Sequence, residues 1–278
     1  MSVESLPYTL LLLLAQFTAG VSLLVVYTQL RGTYEMPFIR VCSWMTVSGA
    51  AGLMFLALAI DPSVDAGGFA LDPDVLDPIR ATSMALMLFA VVHFFYLRRE
   101  DEAFLASATG ATMVGISAVM LVFLATLVRL PTWSIAGPLL TLFAGSLTIG
   151  AFMVAMIWGH WYLVKPSLDE KPLNELALIA IAAIGLQLVV TAINAIIPVG
   201  TTIDSDAILA ISLAENPGFW LRVGIGLLFP IALAYMAYTS SKERSMMSAT
   251  GLLYIAVGAI LAGEALGRGL LFVTGAAV

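Results

Sequence analysis

Polar positions are nearly absent from eight long stretches of this chain and gather in the short segments between them. Apolar runs lie near residues 7–30, 36–60, 79–97, 103–128, 134–164, 174–198, 218–240 and 247–275. Each approaches or exceeds the roughly 20 residues that a helix needs to cross the hydrocarbon of a bilayer. The pattern predicts an all-α, polytopic integral membrane protein: eight transmembrane helices forming one helical domain over residues 1–278.

Composition agrees with the pattern. The chain is 61% hydrophobic and 11% charged, with a mean hydropathy of +1.02. Soluble domains run at about 45–50% apolar and about 25% charged. The placement of charge predicts orientation. Arg31 and Arg40, Arg98 and Arg99, Lys165 and Lys171, and Lys242 and Arg244 flank the first, third, fifth and seventh connections. The alternate connections carry Asp61, Asp65, Asp72, Asp74 and Asp77, then Asp204, Asp206 and Glu215, with Arg80 and Arg129 as their basic neighbours. Basic loops stay in the cytoplasm, so both termini are expected outside, in a bacterial-type cytoplasmic (inner) membrane. Glu4 and the absence of a basic stretch before the first apolar run predict a retained first helix rather than a cleaved signal peptide. The net charge of −6 reflects acids gathered on one side, and no nucleic-acid partner is expected.

Cys42 is the single cysteine, which excludes an internal disulfide and any iron–sulfur cluster held by four cysteines of this chain. The longest connections, 61–78 and 199–217, are too short for a soluble domain, and no P-loop, dinucleotide fingerprint or HExxH motif occurs. If the protein serves redox or energy chemistry, the catalytic domain is expected in another chain.

Candidate chemistry starts with the last span, Gly263-Glu-Ala-Leu-Gly-Arg-Gly269. Ionisable residues at that depth cost about 2.5–3.5 kcal/mol on insertion scales and face protein or a functional cavity. Glu264 and Arg268 share a helical face at i, i+4, where opposite charges meet, and Gly263 and Gly267 let a neighbouring helix approach. The pair either works chemically or only locks helices together. Arg222, at the outer end of the seventh span, either snorkels to the headgroups or lines the same outer cavity. Gln187, Thr191 and Asn194 form one polar stripe, suited to a cavity wall or to bonds with a neighbouring helix. Gln16, Ala19 and Gly20 suit a packing face, and Pro230 is expected to kink or open the seventh helix. His93 and His160 each lie five residues before a basic anchor, Arg98 or Lys165, on spans running the same way. Equal depth on two helices is what a bis-histidine haem b needs. Their aromatic neighbours equally describe an interfacial belt. Buried charges are also natural in a transporter, although the two halves show no matched Gly/Pro-broken helices.

Four motifs in order resemble the membrane anchor subunit of dimethyl sulfoxide reductase and related molybdoenzymes. They are Gln16-Phe-Thr-Ala-Gly20, Pro131-Thr-Trp133, an arginine early in helix seven (Arg222), and Leu261-Ala-Gly-Glu-Ala-Leu-Gly-Arg-Gly-Leu270. Only the last is specific. The resemblance implies a non-catalytic, quinone-interacting electron-transfer subunit of a respiratory oxidoreductase complex. Its partners would be an iron–sulfur subunit and a catalytic molybdopterin-type subunit. It further implies a quinone/quinol site and proton relay at Glu264, Arg268, Arg222 and Asp61. Where that family often carries a histidine near the outer end of helix two, this chain reads Phe55-Leu-Ala-Leu-Ala-Ile-Asp61, leaving Asp61 or Glu264 as proton acceptor. A haem-bearing relative, with His93 and His160 as ligands, is the alternative.

Overall fold

A computed structural model describes residues 3–61, 66–199 and 213–278, without the side chain of Glu100. Asp65, Asp204 and Asp206 lie outside the described residues. Among the described residues eight long helices are present: α1 (Leu6–Arg31), α2 (Met36–Ala59), α3 (Leu76–Tyr96), α4 (Ala103–Leu127), α5 (Ala136–Val164), α6 (Lys171–Ile196), α7 (Pro217–Lys242) and α8 (Met246–Thr274). Each is long and apolar enough to cross a membrane, and no strand occurs among the described residues. α3 and α6 begin a turn before their apolar runs. Their first turns carry Asp77 and Pro78, or Lys171 and Pro172. Proline is tolerated there because the first N–H groups of a helix have no intrahelical acceptor.

The helices pack as two up-and-down four-helix bundles. α1–α4 form one, with α1 closing on α4, and α5–α8 form the other, with α5 closing on α8. α1 against α5 is the main seam. In lipid the tails are as apolar as leucine, so helices associate through close packing and hydrogen bonds. The seam obeys that rule. A Cβ on Gly20 would lie 1.8 Å from the Ser146 carbonyl oxygen, and one on Gly150 would lie 2.2 Å from the Gly20 carbonyl oxygen. Towards the basic loops, Phe38 of α2 meets Trp158 of α5 edge-on at 4.8 Å, adding aromatic contact across the same seam.

Gly20→Ala is therefore expected to destabilise the protein by at least the about 1–3 kcal/mol typical of overpacking, because the collision is with backbone. Gly115→Ala, with open space around it, is expected to be neutral or mildly stabilising. Thermal melts of both variants in one detergent check the contrast.

α7 is interrupted by a π-helical turn at Gly224–Leu228. Pro230 follows; it has no N–H for the Gly226 carbonyl, and the widened turn accommodates that loss. The expected opening of this helix is thus a local π turn.

Ion pairs fasten both ends. On the basic side Arg31 Nε meets Glu175 at 2.7 Å, Arg244 Nη2 meets Glu170 at 2.8 Å, and Lys165 Nζ meets Glu35. On the acidic side Arg129 and Arg80, its basic neighbours, pair with Asp72 at 2.9 Å and Asp77 at 3.0 Å. Hydrogen bonds from Lys165, and then from Trp161 Nε1, hold the Glu35 carboxyl below the usual carboxylate range. A lowered folded-state pKa stabilises above the unfolded value, about 4.3 for glutamate, and the contribution is lost as pH falls through the folded value. The melting-temperature difference between the wild type and Glu35→Gln should accordingly be present at neutral pH and vanish in acid below that range.

Candidate functional site

Among the described residues, the fully buried charged side chains meet at one place. Glu264 of α8 is fully enclosed, and four donors from four helices converge on its two oxygens. Arg222 Nη2 of α7 donates to Oε1 at 2.6 Å, and the Gln187 amide of α6 donates to the same atom. Gln16 Nε2 of α1 donates to Oε2 at 2.9 Å, and Arg268 Nη2 does so at 3.2 Å. Both guanidiniums are 0% exposed. α5 approaches without a side chain: a Cβ on Gly145 would sit 2.0 Å from Gln16 Nε2 and 2.6 Å from Glu264 Oε2. The cluster thereby ties α1 of the first bundle to α6, α7 and α8 of the second.

Glycines shape the site. The Gly263–Gly226 crossing is so close that a Cβ on Gly263 would lie 2.4 Å from the Gly226 Cα and 3.2 Å from Arg222 Nη1. One on Gly267 would lie 3.0 Å from Arg222 Nε. The small face of α8 therefore admits α7 and also clears a channel for the Arg222 side chain. Arg222 runs inward to Glu264 along this channel, so it does not snorkel outward.

The electrostatics are unbalanced. Two guanidiniums face one carboxylate, leaving a formal excess of one positive charge among the described residues. Nε and Nη1 of both arginines are buried and without an acceptor among the described residues, as are the amide oxygens of Gln16 and Gln187 without a donor. Buried N–H groups of a cation are costly unless paired. The arrangement is suited to accept a carbonyl oxygen or an anion on the arginine side. All four neighbours of Glu264 are donors, as a carboxylate requires.

The polar stripe of α6 divides between two tasks. Gln187 joins the charged cluster. Asn194 Nδ2 donates to Thr141 Oγ1 at 2.7 Å and to the Ala277 carbonyl at 2.8 Å, while its Oδ1 accepts from Trp133 Nε1 at 3.0 Å. This second network seats residues 275–278 against α5 and α6. Thr191 between them is buried, its hydroxyl without a partner among the described residues.

Three expected site residues are not brought to the cluster. Asp61 lies exposed just beyond α2, a helix that packs chiefly on α1 and α3. The two histidines do not face one another. His93 is buried in the first bundle, where its Nδ1–H donates to the Ala106 carbonyl of α4 at 3.0 Å. His160 is exposed on α5 of the second bundle, its Nδ1 3.2 Å from the Tyr254 hydroxyl of α8. Equal depth fixed their height but not their angular position, and they fall in different bundles with separate protein partners. The donor set for a haem shared by these two residues is therefore not assembled. Among the described residues no group of three or more His, Cys, Asp or Glu is placed to hold a metal ion.

Gln16 is the member of the cluster that its sequence context identified least clearly. It was expected to pack helices, yet it bonds the buried carboxylate. The signal was depth: Gln16, Gln187 and Glu264 each lie about three turns from the acid-side end of their helices. No protein-family model and no curated protein matches the chain.

Proposed function

We propose that this chain is the membrane-anchoring, quinone-interacting subunit of a respiratory oxidoreductase, with Arg222, Arg268 and Glu264 as its quinone site. The observation that carries the reading is the buried Arg–Glu–Arg cluster with four guanidinium nitrogens lacking acceptors among the described residues. A quinone head group presents carbonyl oxygens that accept hydrogen bonds from such N–H groups. Oxidising a quinol releases two electrons and two protons, so the site needs an electron acceptor and a base. In that role the electrons would be exchanged with the iron–sulfur clusters of a partner subunit, itself in contact with a molybdopterin-type catalytic subunit.

In this reading Arg222 and Arg268 orient the head group, while Glu264 fixes both arginines and receives a proton when one of its four donors swings away. Asp61, exposed at the acidic end, serves as a proton outlet. The cluster is closed, so a head group has to part the helices around it. α7 is the element built to yield, because its π turn contains Gly226, the contact with α8, and Pro230 follows that turn. The eight helices cross a bacterial-type cytoplasmic membrane with both termini outside, which puts the cluster in the outer leaflet. Reporter fusions at Val278 and within Lys165–Lys171 test that orientation; a cytoplasmic Val278 overturns it.

The role is tested by purifying the tagged chain from its native membrane. Iron–sulfur and molybdopterin-type subunits are expected to accompany it. A chain that purifies alone and drives substrate flux across vesicles would make it a transporter instead.

A further inference from the structure

A second built feature lies far from the charged cluster, at the basic end of the α2–α3 pair. A groove of about 630 Å³ runs between these helices, lined by Val41, Val47, Met87 and Val91, with Arg40 and Arg98 at its rim. The arginines are held in place. Arg40 Nε donates to the Leu97 carbonyl at 3.1 Å. Arg98 lies over the Phe94 ring, Cζ 4.6 Å from its centroid, and Phe94 in turn stacks on Trp44 at 5.0 Å and 20°. The result is a three-layer wall of guanidinium, phenyl and indole. Trp44 is 58% exposed and Phe95 57% exposed, so the groove opens sideways rather than into the protein.

The charge at this rim is unusual for the chain. Of the other cations of the basic side, Arg31, Arg99, Lys165 and Arg244 pair with glutamates at 2.9 Å or less, Lys171 lies 3.9 Å from Asp169, and Lys242 lies over the Tyr238 ring. Neither Arg40 nor Arg98 has a carboxylate partner among the described residues. Two fixed guanidiniums above an apolar trough match a molecule with an anionic head and hydrocarbon tails. Guanidiniums bind phosphate oxygens through paired N–H donors, and basic pockets between helices on this side of a membrane suit acidic lipid head groups.

We infer that the α2–α3 groove is a binding site for an anionic phospholipid, its phosphate on Arg40 and Arg98 and an acyl chain along Val41, Val47, Met87 and Val91. The inference is independent of any quinone chemistry. Each arginine near a membrane surface is worth a factor of about five for an anionic lipid, so the pair gives a preference on the order of 30-fold over a zwitterionic one.

Trp44 reports on the site. The full chain is reconstituted in phosphatidylcholine vesicles containing a minor share of either dibrominated phosphatidylglycerol or dibrominated phosphatidylcholine. The Trp44 signal is isolated by subtracting the Trp44→Phe variant. Brominated phosphatidylglycerol is expected to quench Trp44 far more strongly at equal mole fraction, and Arg40→Gln with Arg98→Gln to remove that preference. A melt confirms that the double variant is folded; if it is not, the single variants are read, each expected to lose about fivefold. Equal quenching by the two lipids overturns the proposal, as does a preference that survives the substitutions. So does a double variant that keeps its lipid preference but loses a copurifying subunit, which would make the rim a protein-docking surface.

Discussion

Glu264→Ala is expected to cost the folded protein about 3–5 kcal/mol, the range found when one partner of a buried ion pair is removed. The reason is specific to this cluster. Without the carboxylate, Arg222 and Arg268 remain as two enclosed cations and the amides of Gln16 and Gln187 lose their acceptor. Removing an arginine has the opposite electrostatic sign. Arg222→Met leaves one guanidinium against one carboxylate, a neutral pair, and should cost distinctly less than Glu264→Ala. The order of the two variants in a graded detergent-denaturation series checks the argument. If Arg222→Met proves the more damaging, the excess positive charge is not the governing term.

The second large effect is kinetic. If the proposed quinone role holds, Arg222→Met, whose cluster becomes neutral, should still assemble with partner subunits while losing a charged hydrogen bond to the quinone carbonyl. Such bonds are worth about 1.5–3 kcal/mol, so quinol turnover by the assembled complex should fall roughly ten- to hundredfold. Catalysis by the partner subunit with an artificial electron donor should be unchanged, because that route bypasses the membrane site. Loss of both activities together would instead indicate failed assembly.

The helices themselves were legible because runs of about 20 apolar residues admit few alternatives. What escaped were first turns such as Lys171-Pro172, whose polar residues belong to the helix but not to the apolar pattern. Glu264 and Arg268 were legible as a pair because i, i+4 spacing is a property of one helix. Arg222 was left between snorkelling and burial, and Gln16 was assigned to packing, because their roles depend on how five helices are arranged around an axis. Hydropathy gives the height of a residue and not its bearing. The same gap explains the histidines, which match in depth yet fall in separate bundles. The two-bundle organisation was equally invisible, since the seam rests on the backbone contact of Gly20 with Ser146 and Gly150, and small residues are common in any packed helix.

Whether the buried cluster is a quinone site is decided most directly by binding. The purified chain is titrated with a short-chain quinone, and the same titration is run on a folded Arg222→Met, Arg268→Gln double variant. One saturable site on the wild type that is lost in the double variant is the predicted result. No saturable binding to the wild type, or equal binding to both proteins, would contradict it and leave the Arg222–Glu264–Arg268 cluster as a lock between helices.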